Sequence, residues 1–130
     1  MYLVAETQKT EKVAFGVLVD WLSANGRVVS ASDKKQYDLV VDGCYCELKA
    51  KRYSASKFDF IYVSENQYAG LQTGELRSVF LVCNTDVPGN IEIYELMRDD
   101  LLGIKPKTET KYYYDKGLIG DLIATTKLND

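Results

Sequence analysis

The dipeptide Asp42-Gly43 stands between two β-prone runs, Tyr37-Asp38-Leu39-Val40-Val41 and Cys44-Tyr45-Cys46-Glu47-Leu48-Lys49. Asp-Gly readily takes the two positive-φ positions of a tight hairpin loop, so the stretch predicts an antiparallel pair. With residues 42 and 43 as the loop, Val41 pairs with Cys44, Val40 with Tyr45, Leu39 with Cys46 and Asp38 with Glu47. Side chains alternate along each strand. Tyr37, Leu39, Val41, Cys44, Cys46 and Leu48 then form a core face. Asp38, Val40, Tyr45, Glu47 and Lys49 form the other.

The flanking sequence supplies the rest of an α/β fold. Residues 10–24 predict an amphipathic helix, with Ala14, Phe15, Leu18, Trp21 and Leu22 on one face, Thr10 as N-cap and Asn25-Gly26 as the stop. Short strands are expected at 27–30 and 58–63, and a buried one at 78–83. Another is expected at 91–96, after the turn Asp86–Asn90. Ser64-Glu65-Asn66-Gln67 fits a capping box that opens a helix to about residue 72. Beyond 97 the pattern weakens. A helical turn over 97–102, a strand over 111–114 and a short helix over 118–124 are the best reading. The order of helices and strands predicts a mixed sheet flanked by helices. At 130 residues the chain is read as a single domain, 1–130.

Composition removes several chemistries. The chain has no histidine, which excludes His-dependent hydrolysis and His-ligated metal sites. Its three cysteines, Cys44, Cys46 and Cys83, are too few for a four-cysteine site. No secretion signal is visible, so they are expected to be reduced in an intracellular, cytoplasmic protein. No apolar run approaches eighteen residues, so no membrane span is expected. The net charge is −3, yet residues 34–57 hold six basic side chains against three acidic ones.

That basic segment surrounds the hairpin. Residues opposite each other in an antiparallel ladder have Cβ atoms about 4.5–5.5 Å apart, so Asp38 and Glu47 repel unless a cation lies between them. Mg²⁺ suits such a pair, since it binds one or two carboxylates together with waters and substrate phosphate. Lys49 points the same way as Glu47 and can approach a phosphate or a water. Exposed strands also carry Asp, Glu and Lys simply to keep one face soluble, and charge pattern alone does not separate the two readings. Asp42 is assigned to the turn.

Asp38, followed by the hairpin and by Glu47-Leu48-Lys49, resembles the signature of the PD-(D/E)XK nuclease superfamily. Gln36-Tyr37 stands where the name-giving proline would fall. Glu11, in the helix before the hairpin, matches the acidic residue that family members often carry there. The resemblance covers residues 10 to about 84. It implies a restriction-endonuclease-like core with the order αβββαβ, similar to small Holliday-junction resolvases and single-domain homing or restriction endonucleases. It further implies Mg²⁺ (with Mn²⁺ as a substitute) held by Asp38, Glu47, Glu11 and the Leu48 carbonyl, with Lys49 acting on the attacking water. The expected activity is endonucleolytic hydrolysis of DNA by a homodimer, structure-specific in the manner of a junction resolvase. A sequence-specific homing or restriction enzyme, a ribonuclease, and a non-cutting binding protein on the same fold are the alternatives. Lys51, Arg52 and Lys57 after the motif, and Lys34 and Lys35 before it, are candidate phosphate contacts. Gln67 is a candidate accessory residue. The run Tyr112-Tyr113-Tyr114 is assigned to core and interface packing ahead of base stacking, and the cysteines to buried apolar packing.

Overall fold

The computed structural model describes residues 2–108 and 112–129, with side chains described from residue 9 onward. Its elements are α1 (Tyr2–Ala24), β1 (Val29–Ala31), β2 (Leu39–Val41), β3 (Cys44–Ala50), β4 (Phe60–Val63), α2 (Glu65–Thr73), β5 (Leu76–Cys83), β6 (Glu92–Met97), α3 (Arg98–Leu102), β7 (Lys107–Thr108), β8 (Tyr112–Asp115) and α4 (Lys116–Thr126). The fold is α/β, with a mixed five-stranded sheet in the order β1-β2-β3-β5-β6. β1, β2 and β3 are antiparallel, β5 runs parallel to β3, and β6 returns antiparallel to β5. A second, antiparallel sheet has the order β4-β8-β7.

The hairpin forms in the expected register, with Leu39, Val40 and Val41 opposite Cys46, Tyr45 and Cys44. Asp42 and Gly43 take φ of 51° and 82°, which a two-residue loop of this hand needs. Asp42 does more than turn the chain. Its carboxylate accepts from the Val28 amide at 2.9 Å and pairs with Arg27 at 2.7 Å, tying the start of β1 to the loop.

β5 is central, and its side chains divide between two cores. Phe80 and Val82 join Leu39, Val41, Cys46 and Ile93 beneath Ala14, Leu18 and Leu22 of α1. Val79, Leu81 and Cys83 face the opposite core, with Leu71 of α2, Leu101 of α3, Ile119 and Ile123 of α4, and Ile61, Val63 and Tyr114 of the small sheet. A strand covered on both faces reads as a continuous apolar run, which is why 78–83 is legible.

Several expectations are corrected. α1 begins at Tyr2, so Thr10 lies inside the helix and is not its cap. Ala14, Leu18 and Leu22 are buried at spacings of four, whereas Phe15 is 40% exposed at the edge of that stripe. Tyr37 lies outside β2, so strand alternation does not govern it. It packs in the core on the α2 side, its ring 5.2 Å from that of Tyr45. The strand expected at 58–63 leaves the main sheet and pairs with β8. In the strand expected over 111–114, Lys111 lies outside the described residues. Among the described residues, no helix is long and apolar enough to cross a membrane.

Candidate active site

β3 has seven residues and β2 only three, so Glu47–Ala50 run beyond the end of β2 and leave one edge of β3 open. Asp38, just before β2, closes part of that edge: its Oδ2 accepts from the Leu48 amide at 2.9 Å. The N–H and C=O of one strand residue point to the same side. The Leu48 carbonyl therefore faces the opening in which Asp38 stands.

Glu47 is 5% exposed. Its Oε2 accepts from Gln67 Nε2 at 2.7 Å and lies 3.1 Å from Lys49 Nζ, while its buried Oε1 has no hydrogen-bond partner. Burial pushes the carboxyl up to about 8. Lys49 pulls it down and the neighbouring Asp38 adds to the rise. A buried acceptor with no donor is costly in a folded protein. Here it sits beside a second carboxylate, a pairing that a cation would relieve.

Gln67 holds this arrangement in place. Its Oε1 accepts from Lys49 Nζ at 3.1 Å and from the Ser64 amide at 3.2 Å. Its Nε2 donates to Glu47 and to the Gln36 carbonyl, the latter at 3.1 Å. The capping box and the contact with the acid–lysine pair are therefore made by the same amide.

These groups open into a cleft of about 740 Å³. β3 supplies Glu47, Leu48, Lys49 and Ala50, Lys51 follows directly after it, and Asp38 stands at the open edge. α1 supplies Glu11, Lys12 and Phe15, and β4 supplies Ile61 and Tyr62. Glu11 thus lines the same cleft as Asp38 and Glu47. Among the described residues, however, no three Cys, Asp or Glu side chains converge into a ready metal cage. Two carboxylates, a nearby backbone carbonyl and open space fit Mg²⁺, which fills its remaining octahedral positions with water and phosphate.

The expected phosphate contacts separate. Lys51 lines the cleft, and burial lowers its proton affinity. Arg52 points toward Asp86, with Nη2 at 3.0 Å, beside a different depression. Lys57 is exposed outside the cleft. Neither Lys34 nor Lys35 is among the described residues that line the cleft, and Lys34 is drawn 2.7 Å from Glu75, which lies beside the start of β3. Cys46 and Cys83 are buried and Cys44 is half-buried, and all three are free thiols. Phe15, Lys12 and Tyr62 were not foreseen. Phe15 lies four residues after Glu11, which places both on one side of a helix, and Tyr62 alternates with the inward Ile61 and Val63. No protein-family model matches the chain, and neither does a curated protein or a solved structure.

Proposed function

We propose that the protein is a metal-dependent endodeoxyribonuclease of the PD-(D/E)XK type. The observation that carries this reading is the junction of Asp38, the partnerless Glu47 Oε1 and Lys49 at one open sheet edge. With β4 set aside in the small sheet, the remaining order α1-β1-β2-β3-α2-β5, with β5 parallel to β3, supports the restriction-endonuclease-like core that the motif implies.

Asp38, Glu47 and the Leu48 carbonyl would hold Mg²⁺ or Mn²⁺, and Glu11, which lines the same cleft, would act through a bridging water. A divalent cation bound there supplies Lewis acidity and positive charge at the scissile phosphate. Lys49, fixed by Glu47 and Gln67, orients the attacking water and offsets charge that develops on the phosphoryl oxygens. Water oxygen bonds to phosphorus as one of its protons passes to solvent, the bond to the leaving sugar oxygen breaks, and that oxygen takes up a proton from solvent. No step needs an imidazole.

Within this class, structure-specific cutting in the manner of a Holliday-junction resolvase is favoured over site-specific cutting. Among the described residues, the cleft walls carry Lys12, Lys49 and Lys51 with Phe15 and Tyr62, a set suited to phosphate contact and base stacking, and no Asn or Gln that would read adenine. Cutting both strands of a junction calls for two sites, which a two-fold pair of chains would supply. The test is cleavage of labelled four-way junction, linear duplex and single-stranded RNA with Mg²⁺, Mn²⁺ or chelator. Metal-dependent cutting of DNA that Asp38→Ala and Lys49→Ala each reduce at least a hundredfold is the expected result. Binding without cutting in either metal would overturn it in favour of a binding protein.

A further inference from the structure

The outer face of the small sheet is aromatic and borders the cleft. In β4 and β8, Ile61, Val63, Tyr112 and Tyr114 turn inward, which leaves Phe60, Tyr62 and Tyr113 on the other side. Their rings meet edge to face or tilted, with centroids 4.6–5.8 Å apart. Tyr62 is 42% exposed and also lines the cleft that holds Asp38 and Glu47. Phe15, 40% exposed, lines the same cleft from α1. Cations stand at the margin of the patch: Lys51 Nζ is 5.4 Å from the Phe58 ring centroid and 5.7 Å from that of Phe60, and Lys116 Nζ is 5.5 Å from Phe58. Asp115, a carboxylate on this face, is engaged by Lys107 at 3.1 Å.

We infer that the DNA strand entering the cleft is unpaired beside the scissile phosphate, and that a base stacks on Tyr62, whose ring Phe60 and Tyr113 brace from the side, while Lys51 and Lys116 contact the strand's phosphates. Rings stack on any base, and a bordering lysine neutralises backbone, the combination by which single strands are held without sequence reading. Paired bases keep their faces inside the duplex and offer none to an exposed ring. A second copy of the chain is the less suitable occupant, because on this face it would cover the cleft mouth that Tyr62 lines. The inference rests on the nuclease reading for its location, but binding can be measured apart from cutting.

The experiment is fluorescence anisotropy of labelled 20-nucleotide single-stranded DNA, a forked duplex with the same arm, and a blunt duplex, all in chelator so that nothing is cut. The single strand and the fork are expected to bind at least tenfold more tightly than the blunt duplex. Tyr62→Ala should weaken both about tenfold, and Tyr62→Phe should restore them. Equal affinity for blunt duplex, or an unchanged Tyr62→Ala, overturns the inference even if the protein cuts DNA. A parent dimer that Tyr62→Ala converts to monomer overturns it too, by assigning the face to a second copy. Ring-dependent binding of single strands with no cleavage in Mg²⁺ or Mn²⁺ upholds the stacking face and removes the nuclease reading.

Discussion

Glu47 links the chemistry of the site to the stability of the chain. Its proton affinity is raised from the ordinary 4.5 to about 8 by burial. The folded state therefore binds this proton more tightly than the unfolded state does. The associated stability is complete below about pH 4.5 and is lost as pH rises through about 8. In chelator, Glu47→Gln should remove this loss and be more stable than the parent at pH 9 by up to about 5 kcal/mol, as read by denaturant unfolding. A variant equal to the parent at that pH would refute the buried-acid account. Gln67 can be separated from its capping role in the same spirit. Ser64→Ala and Gln67→Ala each remove part of the capping box and should cost about 1 kcal/mol. Only Gln67→Ala also frees Lys49 and Glu47, so it alone should slow cleavage, by roughly tenfold or more per single turnover.

At the scale of elements, the site depends on how α2 and the hairpin press together. A Cβ at Gly70 would lie 2.1 Å from the Tyr37 hydroxyl and 3.0 Å from its ring. Tyr37 is buried and donates to Glu75 at 2.8 Å, so it cannot swing aside without losing that bond. Gly70→Ala should destabilise the fold by about 1–3 kcal/mol. Because Tyr37 precedes Asp38, it should also lower cleavage more than Leu18→Ala does. Leu18→Ala removes a side chain from the far core and should cost about 2–5 kcal/mol of stability with cleavage retained below its melting range. The hairpin and β5 were legible because a turn dipeptide and a doubly buried strand leave local marks. Tyr37 was misplaced because it lies just before the strand, where packing against Gly70 decides its side. The start of α1 was missed because residues 2–9 show no cap and only a weak apolar stripe. The departure of β4 to a second sheet was invisible, since its partner lies some fifty residues away and strand pairing is a non-local choice.

For the whole molecule, the excess negative charge must be reconciled with a polyanionic substrate. The answer is local: Lys12, Lys49 and Lys51 line the cleft beside Glu11, Asp38 and Glu47, and a divalent cation held by the carboxylates would tip that balance to positive. Binding should therefore be weak at high salt and steeply salt-dependent. Lys51→Ala should weaken binding to all DNA alike and reduce the slope of log affinity against log salt by about 0.7–0.9. Lys34→Ala, which breaks a pair with Glu75 far from the cleft, should leave that slope unchanged. Asp38, Glu47 and Lys49 were legible as a triplet from the hairpin register, whereas the pairing of Lys34 with Glu75 was not, because nearness in sequence does not tell which end of a strand a loop side chain reaches. The account stands or falls on whether Asp38 and Glu47 share a divalent cation. Calorimetric titration of Mn²⁺ into the metal-free protein at pH 8 measures this without reference to any substrate. Saturable binding by the parent that Asp38→Ala and Glu47→Gln each abolish is the predicted result. No binding by the parent, or equal binding by both variants, would contradict it.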